Sequence, residues 1–511
     1  MTSLEINTFS FYQNLAGAFL FISLVVLSLT RTYRSRLSLP PGPRGNFLFG
    51  NSIPNAFSYR YFESLTQEYG PVFSLRQGYK TVIVVGRVEA AMHIMETEGA
   101  STADRPRNIA AGETLSGGMR VMFTPFGEKF KMMRKALHTH LHPRSVSTYA
   151  PLFTRYAKQH ILDIIQAPED HQQHAKKYAV SVVSSLAYGK SPRGAHDPMV
   201  QAVSECLKRL GNALRPGFWK VDTYPFLKYI PGYLKELEDG FSQEKSLFVS
   251  HLESVKYLME KGEEAPESFG KYLLERQESL NLTDVETAYL AGGIFGAGSD
   301  TTASAISVNV LASACYPDAQ QKVWEELEAI VGKERLPRIE DREYLPQTMA
   351  FVLETFRWRP VTAGGFAHKV MKDIIWNGYI IPKNASIFGN IWSVGRDPEY
   401  FPNPERFDPQ RWIKDGKLRD DMKTFAFGWG RRVCPGQYMA TASIFINVAM
   451  LFWSFKIKAK RDAPIDEWSF TESANAHPMP FSVSFEPRFA LSMDNVGKLL
   501  EDLSQQSDHM M

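Results

Sequence analysis

Cysteine is scarce in this chain. Three occur in 511 residues, Cys206, Cys315 and Cys434, odd in number and far apart. That excludes a disulfide scaffold and a cysteine-rich zinc site, and it suits a cytosolic, reducing setting for the main domain. Strong charge of one sign is missing too: 58 Lys and Arg face 55 Asp and Glu, a formal +3, so nucleic acid is not an expected partner. No Pro/Gly/Ser-rich linker divides the chain and no fixed period repeats, which points to one large domain. With 44% hydrophobic residues that domain can bury a sizeable core, so disorder is not the default expectation.

What is present begins at the N-terminus. The run "LAGAFLFISLVVLSL", Leu15 to Leu29, carries no charge. Its Leu, Ile, Val and Phe residues favour insertion into a bilayer by about 3 to 6 kcal/mol before the polar residues are subtracted. Glu5 is the charged residue before it, and Arg31, Arg34 and Arg36 follow it. That order disfavours a cleaved signal peptide and leaves the bulk of the chain on the cytoplasmic side. The expectation is an anchor with its basic flank over 1–36, spanning about 12–30. A proline-rich hinge, "LPPGPRG" within 37–48, then holds a domain over 49–490, with a tail over 491–511.

Strand patterns are expected at Pro71–Gly86, which reads as a hairpin, at Ile374–Pro382 and near Phe481–Phe485; the patterns from Val88 to Ala350 are mostly helical. The fold class is therefore mainly α, an α-rich α+β arrangement with small segregated sheets. The aromatic, proline-broken stretch Gly217–Tyr233 reads equally as a membrane-dipping loop or a packed corner.

The setting of Cys434 is unusual. In "FAFGWGRRVCPGQYMA" it follows Phe427, Gly428, Gly430 and Arg432 and precedes Gly436. A thiolate is a soft ligand suited to iron, and its charge needs inward-pointing N–H groups. Glycines at 428, 430 and 436 would free the backbone to turn through positive φ. Arg432 suits a carboxylate, Phe427 would shield the sulfur from water, and the helix opening at Pro435 would direct its N-terminal dipole at the thiolate. A second segment, "AGGIFGAGSDTTAS", loads a helical stretch with Gly292, Gly293, Gly296 and Gly298. Each costs a helix about 1 kcal/mol relative to Ala, so close approach to the backbone is expected. Ala297 and Thr301 lie one turn apart on the same face. In "ETFRWRP", Glu354 and Arg357 are spaced to pair.

The Phe-x-x-Gly-x-Arg-x-Cys-x-Gly pattern resembles the haem-binding loop of the cytochrome P450 family, and the other segments follow in that family's order up to about Arg488. The resemblance implies a P450 fold and haem b ligated axially by Cys434 through its iron. It implies contacts from Arg432, Phe427, Gly428, Gly436 and Ala297, with Thr301 beside bound O2 and Asp300 supplying protons. It implies that Glu354 and Arg357 lock onto Arg411, in "PQRW", rather than onto Arg406 in the literal "PERF". "FGEKFKMMRK" resembles the family's Trp-x-x-x-Arg helix: Arg134 would bind a propionate, while Phe130, lacking the indole N–H, would offer an apolar contact. His368 stands where fungal relatives carry a propionate ligand.

The stretches near Val221–Pro231 and "HPMPF", His477–Phe481, resemble fungal microsomal members, which serve secondary metabolism. The implied reaction is insertion of one O2 oxygen into a C–H bond of a lipophilic terpenoid or polyketide intermediate. Electrons would come from NADPH through cytochrome P450 reductase, with cytochrome b5 as a further candidate donor. Lys131, Lys135, Lys423 and Arg431 would steer the acidic reductase. The implied location is the endoplasmic reticulum membrane. The alternatives are an isomerase or dehydratase of the same fold, and a haem-binding membrane protein without turnover.

Overall fold

The computed structural model describes residues 22–23, 37–192, 194, 197–262, 265–488 and 496–498. All of the expected anchor but residues 22–23, and most of the expected tail, lie outside them. Among the described residues no helix is long and apolar enough to cross a membrane.

Helices dominate, as the sequence pattern predicts. The spine is Asp284–Cys315, buried on nearly every face. A helix apolar all round belongs inside a large core, and this one packs against His171–Tyr188, Lys235–Glu260 and Gln437–Ser454. Its start is fixed by a capping box: the Glu286 N–H donates to Thr283 Oγ1 and the Thr283 N–H to Glu286 Oε2 at 3.0 Å.

The four glycines of this helix divide into two kinds. A Cβ at Gly292 would overlap the Phe248 ring, and one at Gly298 would overlap Val183, so these two admit neighbouring helices. Gly293 faces open space, and Gly296 meets only Leu207 and Arg120 at 3.6 and 3.9 Å. The expectation that all four serve one close approach is thus corrected: helix packing explains two of them. Gly292→Ala should therefore lower stability by about 1–3 kcal/mol through overpacking. Gly293→Ala should raise it by up to about 1 kcal/mol through helix propensity. Urea midpoints of the two variants check both signs.

The sheets are small and set apart. Strands β1 (Val72–Gln77) and β2 (Lys80–Val85) form the expected hairpin. With β3 (His368–Lys369) and β6 (Ser386–Gly389) they make a four-stranded sheet in the order β1-β2-β6-β3. The β2–β6 pair is parallel, with Val85 opposite Gly389. The pair β4 (Ile374–Trp376) and β5 (Tyr379–Ile381) turns on Asn377 and Gly378, both at positive φ. The last expected strand runs Val483–Pro487, two residues later than the sequence pattern suggests. Gly217–Tyr233 is two short 3-10 turns: Val221 is buried, while Phe218, Phe226 and Tyr229 are exposed. It is neither wholly a core corner nor wholly free of the core.

Candidate functional site

The Cys434 loop is wedged between β6 and the segment before Arg105. Trp429 donates its Nε1–H to the Gly389 carbonyl at 3.2 Å, in space that a side chain at 389 would fill. A Cβ at Gly430 would lie 2.6 Å from the Met95 carbonyl oxygen, so backbone meets backbone there. Gly428 and Gly430 hold φ of 79° and 50°, a region that glycine enters at no steric cost. Gly436 corrects the expectation: its φ is −87°. Its Cβ position lies 3.8 Å from the Cys434 sulfur, and its N–H favours the charged thiolate. Cys434 itself donates its N–H to the Phe427 carbonyl at 2.8 Å. Phe427 stacks edge-on to Phe356 at 5.4 Å. Burial raises the Cys434 pKa; the Gly436 N–H and the Arg134 cation oppose that rise.

Beside the sulfur stands Arg134, half-buried, the first of a group of partly to fully buried cations. Arg134 donates to the Val433 carbonyl at 2.8 Å. Arg432 donates to the carbonyls of Ala103 at 2.6 Å and Thr124 at 2.8 Å. Its guanidinium lies 3.6 Å over the Phe130 ring. The expected apolar contact of Phe130 is thus a cation–π contact, possible because a benzene face attracts a cation without any donor. His368 is buried, with Nδ1 2.8 Å from the Thr102 carbonyl. Burial first, then the positive charge of Arg105, pushes its pKa down to about 3, so the ring is neutral at pH 7. Arg105 was not among the sequence candidates. It bonds the carbonyls of Met122 and Ala367, and burial lowers its pKa to about 9. Its signal was the local "DRPR", which reads as an ordinary charged loop.

These cations are met by carbonyl dipoles rather than by carboxylates. Asp104, which acts on Arg432 electrostatically, is itself engaged by the Phe126 N–H at 2.8 Å and by Lys369 at 3.1 Å. A buried cationic cluster beside a thiol fits a flat apolar group that carries carboxylates and a thiolate-binding metal. Haem b matches that donor set.

The opposite wall comes from the spine helix. Ala297 is exposed and Thr301 half-buried in the middle of an otherwise buried helix, so this stripe opens onto internal space. Met439, on the helix that follows Cys434, touches the Cβ position of Gly298 at 3.8 Å and joins the two walls. Thr301 Oγ1 donates to the Ala297 carbonyl at 2.8 Å. Asp300 turns away from this stripe. Its Oδ1 is 2.9 Å from His477 Nε2, and its Oδ2 accepts from Asn475 at 2.8 Å. Burial raises its pKa, but His477, Asn475 and Lys176 together outweigh that and hold it below the usual carboxylate value.

Further off, Glu354 gathers five donors. Arg357 forks onto it at 2.8 and 2.7 Å, Arg411 Nε reaches it at 3.0 Å, Trp412 Nε1 at 2.9 Å and the Asp408 N–H at 2.8 Å. Arg406 contributes its carbonyl, which accepts from Arg357, while its side chain stays exposed. The role of Trp412 was not foreseen, because an indole after an arginine carries no spacing signal.

A thiol at the foot of a helix that packs on a small-residue stripe, with largely buried arginines beside it, suits a haem–thiolate arrangement. A model of the cytochrome P450 family matches residues 40–485. Cytochrome P450 monooxygenase 64 of Postia placenta is 50% identical over 476 residues, covering 93% of this chain and 96% of its own. Cytochrome P450 monooxygenase 113 of the same fungus is 49% identical over 482 residues, 93% and 97% of the two chains. A cytochrome P450 monooxygenase of Armillaria gallica is 33% identical over 488 residues, 92% and 94%. The chain belongs to the cytochrome P450 family, and its class is that of the cytochrome P450 monooxygenases.

Proposed function

We propose that the protein inserts one oxygen atom of O2 into a C–H bond of a lipophilic small molecule, drawing electrons from NADPH through a reductase. The observation that carries this reading is Cys434 at the foot of a helix whose Met439 touches the Gly298 position, next to the open stripe of Ala297 and Thr301. Haem b, when bound, supplies the oxygen-activating chemistry. Cys434 would ligate its iron, Gly436 would stabilise the sulfur charge, and Arg134, Arg432, Arg105 and His368 would hold its carboxylates. Thr301 would hold a proton at its Oγ1. Asp300 would pass protons inward from His477, which is partly open to solvent. Glu354, Arg357 and Arg411 would keep the Cys434 side rigid.

The reductase would approach the Cys434 side. Arg431 and Lys135 are exposed there, whereas Lys131 is paired with Glu128 at 2.7 Å and Lys423 with Glu96 at 3.0 Å. The field is therefore weaker than the sequence suggests. An endoplasmic reticulum membrane location, with the domain boundaries given above, is supported by a set of exposed aromatic side chains on linked segments. These are Phe47, Phe49, Tyr79, Phe226 and Tyr229. Their segments are tied together by the Gly78 N–H to the Phe49 carbonyl and by Lys80 to the Asp222 carbonyl. A terpenoid or polyketide substrate remains the working class.

The test is reconstitution with reductase, NADPH and isotopically labelled O2 against a lipophilic panel. One labelled oxygen per product supports the reading. Product formed without NADPH would replace it with an isomerase or dehydratase. In the same assay Thr301→Ala should lower product by about 100-fold or more, the contribution of a placed proton donor. NADPH oxidation should continue. Equal loss of both would remove Thr301 from proton delivery.

A further inference from the structure

Above the glycine stripe lies a second polar cluster that the reaction scheme does not use. Arg120, from the loop before the Glu128–Leu141 helix, is 7% exposed. Its Nη2 donates to Glu244 Oε2 at 2.5 Å, and its guanidinium lies 5.7 Å over Phe248. Glu244, 1% exposed, comes from the Lys235–Glu260 helix. The hydroxyl of Tyr289, from the spine helix, is buried facing Glu244, and Arg120 Nε is buried without a hydrogen bond. Burying an ion pair between a loop and two helices costs several kcal/mol, and packed hydrophobic residues would serve the fold as well. The pair therefore calls for a use.

Its position supplies one. Among the described residues Arg120 Nη1 has no hydrogen-bond acceptor, and unlike Nε it is not fully enclosed. It lies 3.9 Å from where a Cβ of Gly296 would stand, beside Leu207. Gly296 is one residue before Ala297, on the face where Gly293 meets open space. A guanidinium N–H thus borders the helix face that carries Gly293 and Gly296, about 7.5 Å along the helix from Thr301.

We propose that Arg120 is the specificity-determining residue for the substrate's polar end. Its Nη1 donates to a neutral acceptor oxygen, a ketone, lactone or alcohol, on an otherwise apolar molecule. Glu244 already neutralises the cation, so a carboxylate would meet an uncompensated negative charge and is disfavoured. This deepens the proposed function and rests on it: the hydrogen bond fixes one end of the substrate and so selects which C–H faces Thr301.

The test uses haem-loaded protein and three probes of equal chain length: dodecane, 2-dodecanone and dodecanoate. Dissociation constants are read from the shift of the haem absorbance and from calorimetry. The wild type should bind the ketone about tenfold more tightly than the alkane, the effect of one hydrogen bond to a charged donor. Because Arg120→Met alone strands the Glu244 charge, the double variant Arg120→Met/Glu244→Met is used. It should keep alkane affinity and lose the ketone preference. An unchanged ketone-to-alkane ratio in that variant would overturn the assignment to Arg120. Tighter binding of dodecanoate than of ketone would overturn the neutral class. Failure of every probe to bind would instead overturn the proposed function beneath it.

Discussion

Replacing Cys434 with serine should leave a folded chain that carries out no oxidation and gives no carbon monoxide band of sulfur-ligated haem. Folding should survive because the residue's structural tie is its N–H bond to the Phe427 carbonyl, which serine retains. The loop is shaped by Gly428, Gly430 and the Trp429–Gly389 bond, none of which involves sulfur. Function should fail because a serine hydroxyl is a hard, weakly acidic ligand where iron needs a soft thiolate. Losing an outer-shell partner of a metal typically costs about 10–100-fold, and losing the ligand itself should cost more. Circular dichroism, the carbon monoxide difference spectrum and turnover with reductase make the comparison. Retention of the sulfur band, or of turnover, would end the account.

The second large effect is at Glu354. Glu354→Ala removes the acceptor for five donors at a site with no solvent. Arg357 would then be a buried cation held by carbonyls of Gly395, Pro404 and Arg406. Breaking such a network costs about 3–5 kcal/mol. Set against a domain stability of about 5–15 kcal/mol, that should sharply cut the yield of haem-loaded protein. Arg411→Ala should cost less, since Arg357 and Trp412 still neutralise and bond the carboxylate. Arg406→Ala should stay within about 0.5 kcal/mol, because its contribution is a carbonyl. Urea midpoints of the three variants give the order Glu354, Arg411, Arg406. An Arg406 loss as large as that of Arg411 would refute the assignment.

Residues in short, fixed spacings were readable from the chain. The Cys434 loop, the Glu354–Arg357 pair and the stripe of Ala297 and Thr301 are local patterns, set by turn and helix geometry. Arg105, Trp412 and Arg120 were not readable. Each acts on a group far off in sequence, and a charged or aromatic residue in a loop looks the same whether it faces solvent or a core. Asp300 shows the same limit. Its place in the motif was legible, but its partners His477 and Asn475 lie more than a hundred residues away.

By itself, then, the sequence determined the class of fold, the thiol and the elements that carry it, because those follow from composition, period and backbone freedom. Tertiary structure decided which buried charges meet. It divided the helix glycines between packing and open space, turned Phe130 into a cation's platform, and set Arg120 over Gly296. Those outcomes depend on distances between separate segments, which burial and close packing fix and which no local pattern encodes.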